Sequence, residues 1–385
     1  VKRRKIAVVT GTRAEFGLLK PVIDRLYERT DTEVLTVVTG AHLSEKLGGT
    51  VSEIIRAGIN IDEKIDIGAG EPDIDNIESL TRAVSGFYRY FTDRKPDATL
   101  LLGDRYEIFG AALASVSAGV PVAHISGGDV TEGARDEYYR HCITKMSSLH
   151  FPSCEAYRRR VIQLGEQPDT VFNVGSLGAE NIEKLPLLDR DELSEQIDFD
   201  CSKPYFVITY HPETLTETDS VTALNELLNV IEKRGSRAII TKSNADDGAD
   251  AINLRLERFA DSHDGIKLVT SLGVLRYLSA MKYCTAVIGN SSSGIVETPS
   301  FKKPTLDIGD RQKGRLKGAN TVHCGRSQEE IEQALDRILS AEFAYEIQNM
   351  ENPYRSNGTS KQIADILLEF VNGHKLKIQK SFYDL

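Results

Sequence analysis

Short apolar runs of strand length alternate with amphipathic segments of helix length along almost the whole chain, and this alternation limits the fold more than any motif does. A strand that leads through a helix into the next strand returns parallel, by a right-handed crossover, and leaves helices on both faces of the sheet. In the first half the strand runs are residues 6–10, 33–39, 98–103, 122–126, 150–153 and 171–174. Helical segments at 15–29, 77–92, 107–118 and 155–164 separate them. The strand runs are nearly continuous in apolar character, as expected where both faces of a sheet are covered. Around residues 183–203 the pattern lapses into a charged stretch with Pro186 and Pro204 near its ends, and then it restarts. Strand runs at 205–209, 237–241, 266–269, 285–289, 305–308 and 321–323 now alternate with helices at 221–234, 250–262, 274–283 and 328–339. A last amphipathic helix, 360–370, follows a loop containing Asn352-Pro353.

The prediction is an α/β protein with two Rossmann-like doubly wound domains, residues 1–185 and 204–355. A C-terminal helix and tail, 356–385, is expected to pack back on the N-terminal domain. A length of 385 residues suits two cores rather than one. Two such domains facing a central cleft bring the C-terminal ends of both sheets together, where ligands of open α/β sheets bind.

Composition removes several classes. A net charge of −10 is the wrong sign for a general nucleic-acid binder, though a few converging arginines still suffice for one small anion. No apolar run of about 18 residues exists to span a membrane. The basic start, Val1-Lys2-Arg3-Arg4-Lys5, precedes an apolar run too short for a signal-peptide core. The five cysteines are odd in number and scattered, so neither a disulfide framework nor a zinc site is expected, and a reducing cytoplasm is.

The informative residues of such a sheet lie just past each strand. Thr10-Gly11-Thr12-Arg13-Ala14-Glu15-Phe16-Gly17 offers a tight turn, helix N–H groups and a fixed charge, which serve a structural turn or an anion equally. It has neither a complete G-x-G-x-x-G fingerprint nor a P-loop lysine. Gly103-Asp104-Arg105-Tyr106-Glu107 reads as a helix start with acids suited to the dipole, or as a site acid beside a cation. His124-Ile125-Ser126-Gly127-Gly128-Asp129 runs into a glycine turn that lets the chain approach a ligand. In Arg135-Asp136-Glu137-Tyr138-Tyr139-Arg140-His141, residues 136 and 140 share one helix face, as a solvated ion pair or as site residues.

In the second half, Gly289-Asn290-Ser291-Ser292-Ser293-Gly294-Ile295-Val296-Glu297 suits a phosphate cradle of N–H and hydroxyl groups. Glu297, one turn into the expected helix, is placed to accept two ribose hydroxyls. Beside it stand His211-Pro212-Glu213, Ser243-Asn244-Ala245-Asp246 and Gly309-Asp310-Arg311-Gln312-Lys313-Gly314. His211 reads as a core histidine or as a site residue.

In this order, T-G-T-R-A-E-F-G, L-G-D-R-Y-E-I-F, R-H-C-I-T-K, H-P-E-T, G-N-S-S-S-G-I-V-E and G-D-R-Q-K-G-R resemble the hydrolysing UDP-N-acetylglucosamine 2-epimerases of bacterial sialic acid synthesis. V-I-Q-L-G-E at 161–166 and the terminal Phe382-Tyr383-Asp384 extend the resemblance to the end of the chain. The resemblance implies the two-domain arrangement of the GT-B glycosyltransferases. It also implies conversion of UDP-N-acetylglucosamine to N-acetylmannosamine and UDP, without metal or redox cofactor, in a homo-oligomer (dimer or tetramer).

It assigns catalysis to Asp104 and Asp136, with Arg140 and His211 as partners. It assigns nucleotide contacts to Arg13, Gly17, Arg105, His211, Asn244, Ser291, Ser292, Glu297 and Arg311. Many relatives carry a glutamate where this chain has Ser126, and Asp129 is the nearest acid that takes that role. The alternatives are an epimerase of UDP-N,N′-diacetylbacillosamine, a GT-B glycosyltransferase and a non-catalytic nucleotide-sugar sensor.

The chemistry explains the residue types. The C2 proton of a UDP-hexose has no adjacent carbonyl, so its loss is feasible only as the C1–O bond to UDP breaks. Water then adds to C1 of the glycal while C2 regains a proton on the opposite face. Such a scheme needs carboxyl groups on different sides of the ring and cations for the departing diphosphate.

Overall fold

A computed structural model describes residues 3–213, 219–243, 248–355 and 358–385. It contains two six-stranded sheets in which every pairing is parallel. The strands of the first are β1 (Arg4–Thr10), β2 (Thr32–Thr39), β3 (Ile61–Ile65), β4 (Ala98–Leu102), β5 (Val122–Ile125) and β6 (Leu149–Phe151). Those of the second are β7 (Phe206–Thr209), β8 (Ala238–Thr241), β9 (Ile266–Val269), β10 (Ala286–Gly289), β11 (Thr305–Ile308) and β12 (Thr321–Cys324). The first sheet runs β3-β2-β1-β4-β5-β6 and the second β12-β11-β10-β7-β8-β9. Numbered from its own start, the second repeats the order of the first. Each therefore has a topological switch point, between β1 and β4 and between β7 and β10, and open α/β sheets in general bind ligands at the loops leaving such strands.

Alternation within the strands explains the winding. Ile6 and Val8 pack with Leu19, Ile23, Ile363 and Leu367, whereas Ala7 and Val9 pack on the other face with Phe87, Phe91 and Ile108. In the second sheet Phe206 and Ile208 meet Leu224, Leu228 and Ile331, and Val207 meets Leu193, Leu278 and Met281. The first of these helices, Arg13–Tyr27, begins in a capping box. Thr12 accepts from the Glu15 N–H, and the Glu15 carboxylate accepts from the N–H groups of Gly11 and Thr12.

Two compact units result. One comprises residues 1–129, 136–180 and 356–385; the other comprises 130–135 and 181–355. The last helix, Thr359–Asn372, packs beside helix Arg13–Tyr27 of the first unit. Its start is fixed by Ser360, whose N–H and hydroxyl both donate to Glu180 at 2.6 and 2.9 Å. Residues 130–135 belong with the second unit, where Gly133 lies against the backbone of Asp310 and Arg311.

Three elements differ from the sequence pattern. The run 171–174 supplies only an isolated bridge from Val171 to His150, because Gly175 and the turn after it end the pairing. β3, with the sequence Ile-Asp-Glu-Lys-Ile, is an edge strand whose charged residues hide its periodicity. The charged stretch after residue 183 contains a helix, Arg190–Ile197, capped by Asp189 and Glu192 and anchored by buried Leu193 and Ile197. No described helix is long and apolar enough to cross a membrane.

Candidate active site

In the first unit the loop after β4 turns at Gly103, whose φ of +79° is a conformation that a residue with a Cβ resists. The turn delivers Asp104, which pairs with the Nη2 of Arg140. Arg140 is 1% exposed. Its Nη1 donates to the Asp129 carbonyl at 3.0 Å and to Glu137 at 2.7 Å. The guanidinium thus ties Asp104 to the helix Asp136–Met146 and to the chain leaving β5. A buried arginine with this partner set is no solvated surface pair.

Asp136 is the first residue of that helix and is half-buried. Asp129 is buried and accepts from the Ser153 hydroxyl at 3.3 Å. Ser126 adopts a left-handed φ of +67° just before the two glycines.

The loop after β1 forms the capping turn of its helix. The N–H groups of Gly11 and Thr12, just ahead of the helix, are held by Glu15 of the same chain segment. Burial first, and then the neighbouring Glu107, push the Glu15 carboxyl up to about 8. Arg13 forms an ion pair with Glu53 at 2.8 Å, and Gly17 lies in the second turn of the helix. Arg105 precedes helix Tyr106–Ser117, and its Nε donates to Glu107 at 2.7 Å. Glu15 and Glu107 stand in the motifs of these loops, and Glu107 is the first-turn acid of helix Tyr106–Ser117.

In the second unit Asn290 is the hub. It is fully buried, its side-chain oxygen accepts from the His211 N–H at 2.7 Å, and its amide donates to the His211 carbonyl at 2.8 Å. Its own carbonyl accepts from Arg311 at 3.2 Å and from Gln312 at 2.9 Å. The loops after β7, β10 and β11 are therefore locked to one residue. His211, buried, contacts the Ser243 hydroxyl through Nδ1 at 3.0 Å.

Ser291, Ser292 and Arg311 are half-buried around this hub. The helix expected beyond them is only four residues, Ser293–Val296, followed by a 3₁₀ turn forced by Pro299. Glu297 therefore stands one turn in, at the end of that helix. Burial raises its carboxyl to about 7, and its Oε2 has no partner among the described residues. Arg326 crosses from the end of β12 to join Glu213, and also Asp310 at 2.8 Å. Asn244 lies outside the described residues.

The profile of the UDP-N-acetylglucosamine 2-epimerase family matches residues 24–368. The chain belongs to that family. The chain is 37% identical to "Polysialic acid biosynthesis protein P7" of Escherichia coli, over 99% of this chain and 98% of that protein. It is 38% identical, over the full length of both, to "GDP/UDP-N,N'-diacetylbacillosamine 2-epimerase (hydrolyzing)" of Campylobacter jejuni. The fold is shared with the UDP-GlcNAc 2-epimerase from Neisseria meningitidis solved bound to UDP-GlcNAc. That likeness has a TM-score of 0.80 at 20% identity and covers 95% of this chain and all of the other.

Proposed function

We propose that the chain is a hydrolysing 2-epimerase that converts UDP-N-acetylglucosamine and water to N-acetylmannosamine and UDP. The observation that carries this reading is Asp104, an acid held at a strand end by a buried arginine in a chain of this family. In the proposal Asp104 and Asp136 remove and return the proton at C2, and Asp129 serves where relatives have a glutamate. Arg13, Arg105 and His211 offset charge on the departing diphosphate. Ser291, Ser292 and Arg311 hold the UDP phosphates, Gly17 leaves room for the nucleotide, and Glu297 accepts the ribose hydroxyls.

A second reading has UDP-N,N′-diacetylbacillosamine as substrate, a sugar that differs at C4 and C6 and needs the same C1–C2 chemistry. The Campylobacter jejuni relative favours it. Incubation of the purified protein with each nucleotide sugar, followed by NMR identification of the released sugar, separates the two. Release of neither sugar from either substrate sinks both readings.

A further inference from the structure

Glu107 occupies an unusual seat. It is 1% exposed, and it lies under the loops that leave β1 and β2. A Cβ on Gly11 would stand 2.8 Å from its Oε1, and one on Gly40 would stand 3.3 Å from the same atom. The carboxylate thus fills the space that two missing side chains leave. From the other side of Gly11, the Glu15 carboxylate accepts the Gly11 N–H at 2.8 Å. The cation between these acids and solvent is Arg105, whose Nε donates to Glu107 Oε1 at 2.7 Å. The second oxygen of Glu107, Oε2, is buried without a partner among the described residues.

From this packing we propose that Glu107 is a positioning residue for nucleotide binding. Its carboxylate aims Arg105 at the diphosphate and, packed beneath Gly11, holds the Gly11–Thr12 turn in shape. The proposal rests on the reading of the chain as a UDP-sugar enzyme. Next to Glu107 a second buried negative charge is disfavoured, so Glu15 keeps its proton. A further titratable group at this turn, among the described residues, is His42 of the loop after β2. Its ring is bound between Thr10 and Thr50, and burial holds it neutral, at about 4.

The test uses the full chain and UDP as the probe, with affinity measured by calorimetry from pH 6 to pH 9. In the wild-type protein the affinity falls above about pH 8, as Glu15 loses its proton and draws Arg105 away. Glu107→Gln keeps the shape and removes the charge that holds Arg105. It is expected to weaken UDP at pH 7 by about tenfold or more, the scale of one charge-assisted hydrogen bond. Glu15→Gln is expected to abolish the alkaline fall. Gly11→Ala keeps Glu107 but drives a methyl group into its carboxylate, so it reproduces the loss even if Glu107→Gln does not fold. Unchanged UDP affinity in a folded Glu107→Gln or Gly11→Ala protein, or an alkaline fall that persists in Glu15→Gln, overturns the proposal. Absence of UDP binding by the wild-type chain overturns instead the functional reading beneath it.

Discussion

Asp104 is paired with Arg140, 36 residues further along the chain, and the arginine is the more buried of the two. The acid therefore keeps an open side while its cation is enclosed by Asp129 and Glu137. Such a geometry fixes a carboxylate in place without hiding it.

Arg140→Met removes the cation and leaves Asp104 and Glu137 without it. Breaking a buried pair in this way costs about 3–5 kcal/mol. Chemical denaturation of this variant is expected to show a loss of that size. A loss below about 1 kcal/mol would mean that the pair is only a surface contact.

Asn290→Ala cuts four hydrogen bonds at the hub only in part, since the backbone carbonyl that receives Arg311 and Gln312 survives. It does strand the N–H and carbonyl of His211, at about 1–3 kcal/mol for each unsatisfied group. UDP affinity should fall with stability. A variant as stable as wild type would show that the loops after β7 and β10 hold themselves.

Glu297, with its carboxyl raised to about 7 by burial, is mostly protonated below neutrality and ionised above it. An ionised carboxylate is the better acceptor of ribose hydroxyls, so UDP affinity should rise as pH passes upward through about 7. Glu297→Gln should bind UDP more weakly and lose this rise. Isothermal titration at pH 6 and pH 8 tests both, and an unaltered profile places the ribose elsewhere.

Stability itself should respond to pH. Glu15 titrates at about 8 in the fold against an ordinary 4.5, so between these values the folded chain holds a proton that the unfolded chain has lost. That contribution is full below about pH 4.5 and is lost as pH rises through about 8. His42 and His124, lowered to about 4 by burial, act in the opposite sense and cost stability as pH falls from 6.5 toward 4. The gain in Tm on Glu15→Gln should therefore grow from pH 5 to pH 8. A gain independent of pH would contradict the raised carboxyl.

The strands were readable because parallel strands covered on both faces are written as unbroken apolar runs, as in Ala98–Leu102 and Ala286–Gly289. β3 was not, since an edge strand tolerates Asp62, Glu63 and Lys64. The helix Arg190–Ile197 announced itself only by its Asp189–Glu192 capping box within a charged stretch. At the site, the motifs placed Asp104, His211 and the serine turn correctly at strand ends. What sequence could not supply was partnership. That Arg140 turns inward to Asp104, that Asn290 binds three loops, and that Glu107 fits beneath Gly11 all depend on contacts between segments far apart in the chain.

In the proposed reaction the proton at C2 leaves and returns during turnover, by way of Asp104 and Asp136. Turnover in heavy water, with the released sugar analysed by NMR, tests it most directly. The expected product carries deuterium at C2, and the Asp104→Asn and Asp136→Asn proteins should bind UDP but turn over about 10²–10⁴-fold more slowly. A product that retains its original C2 hydrogen, or near wild-type rates in both variants, would contradict it.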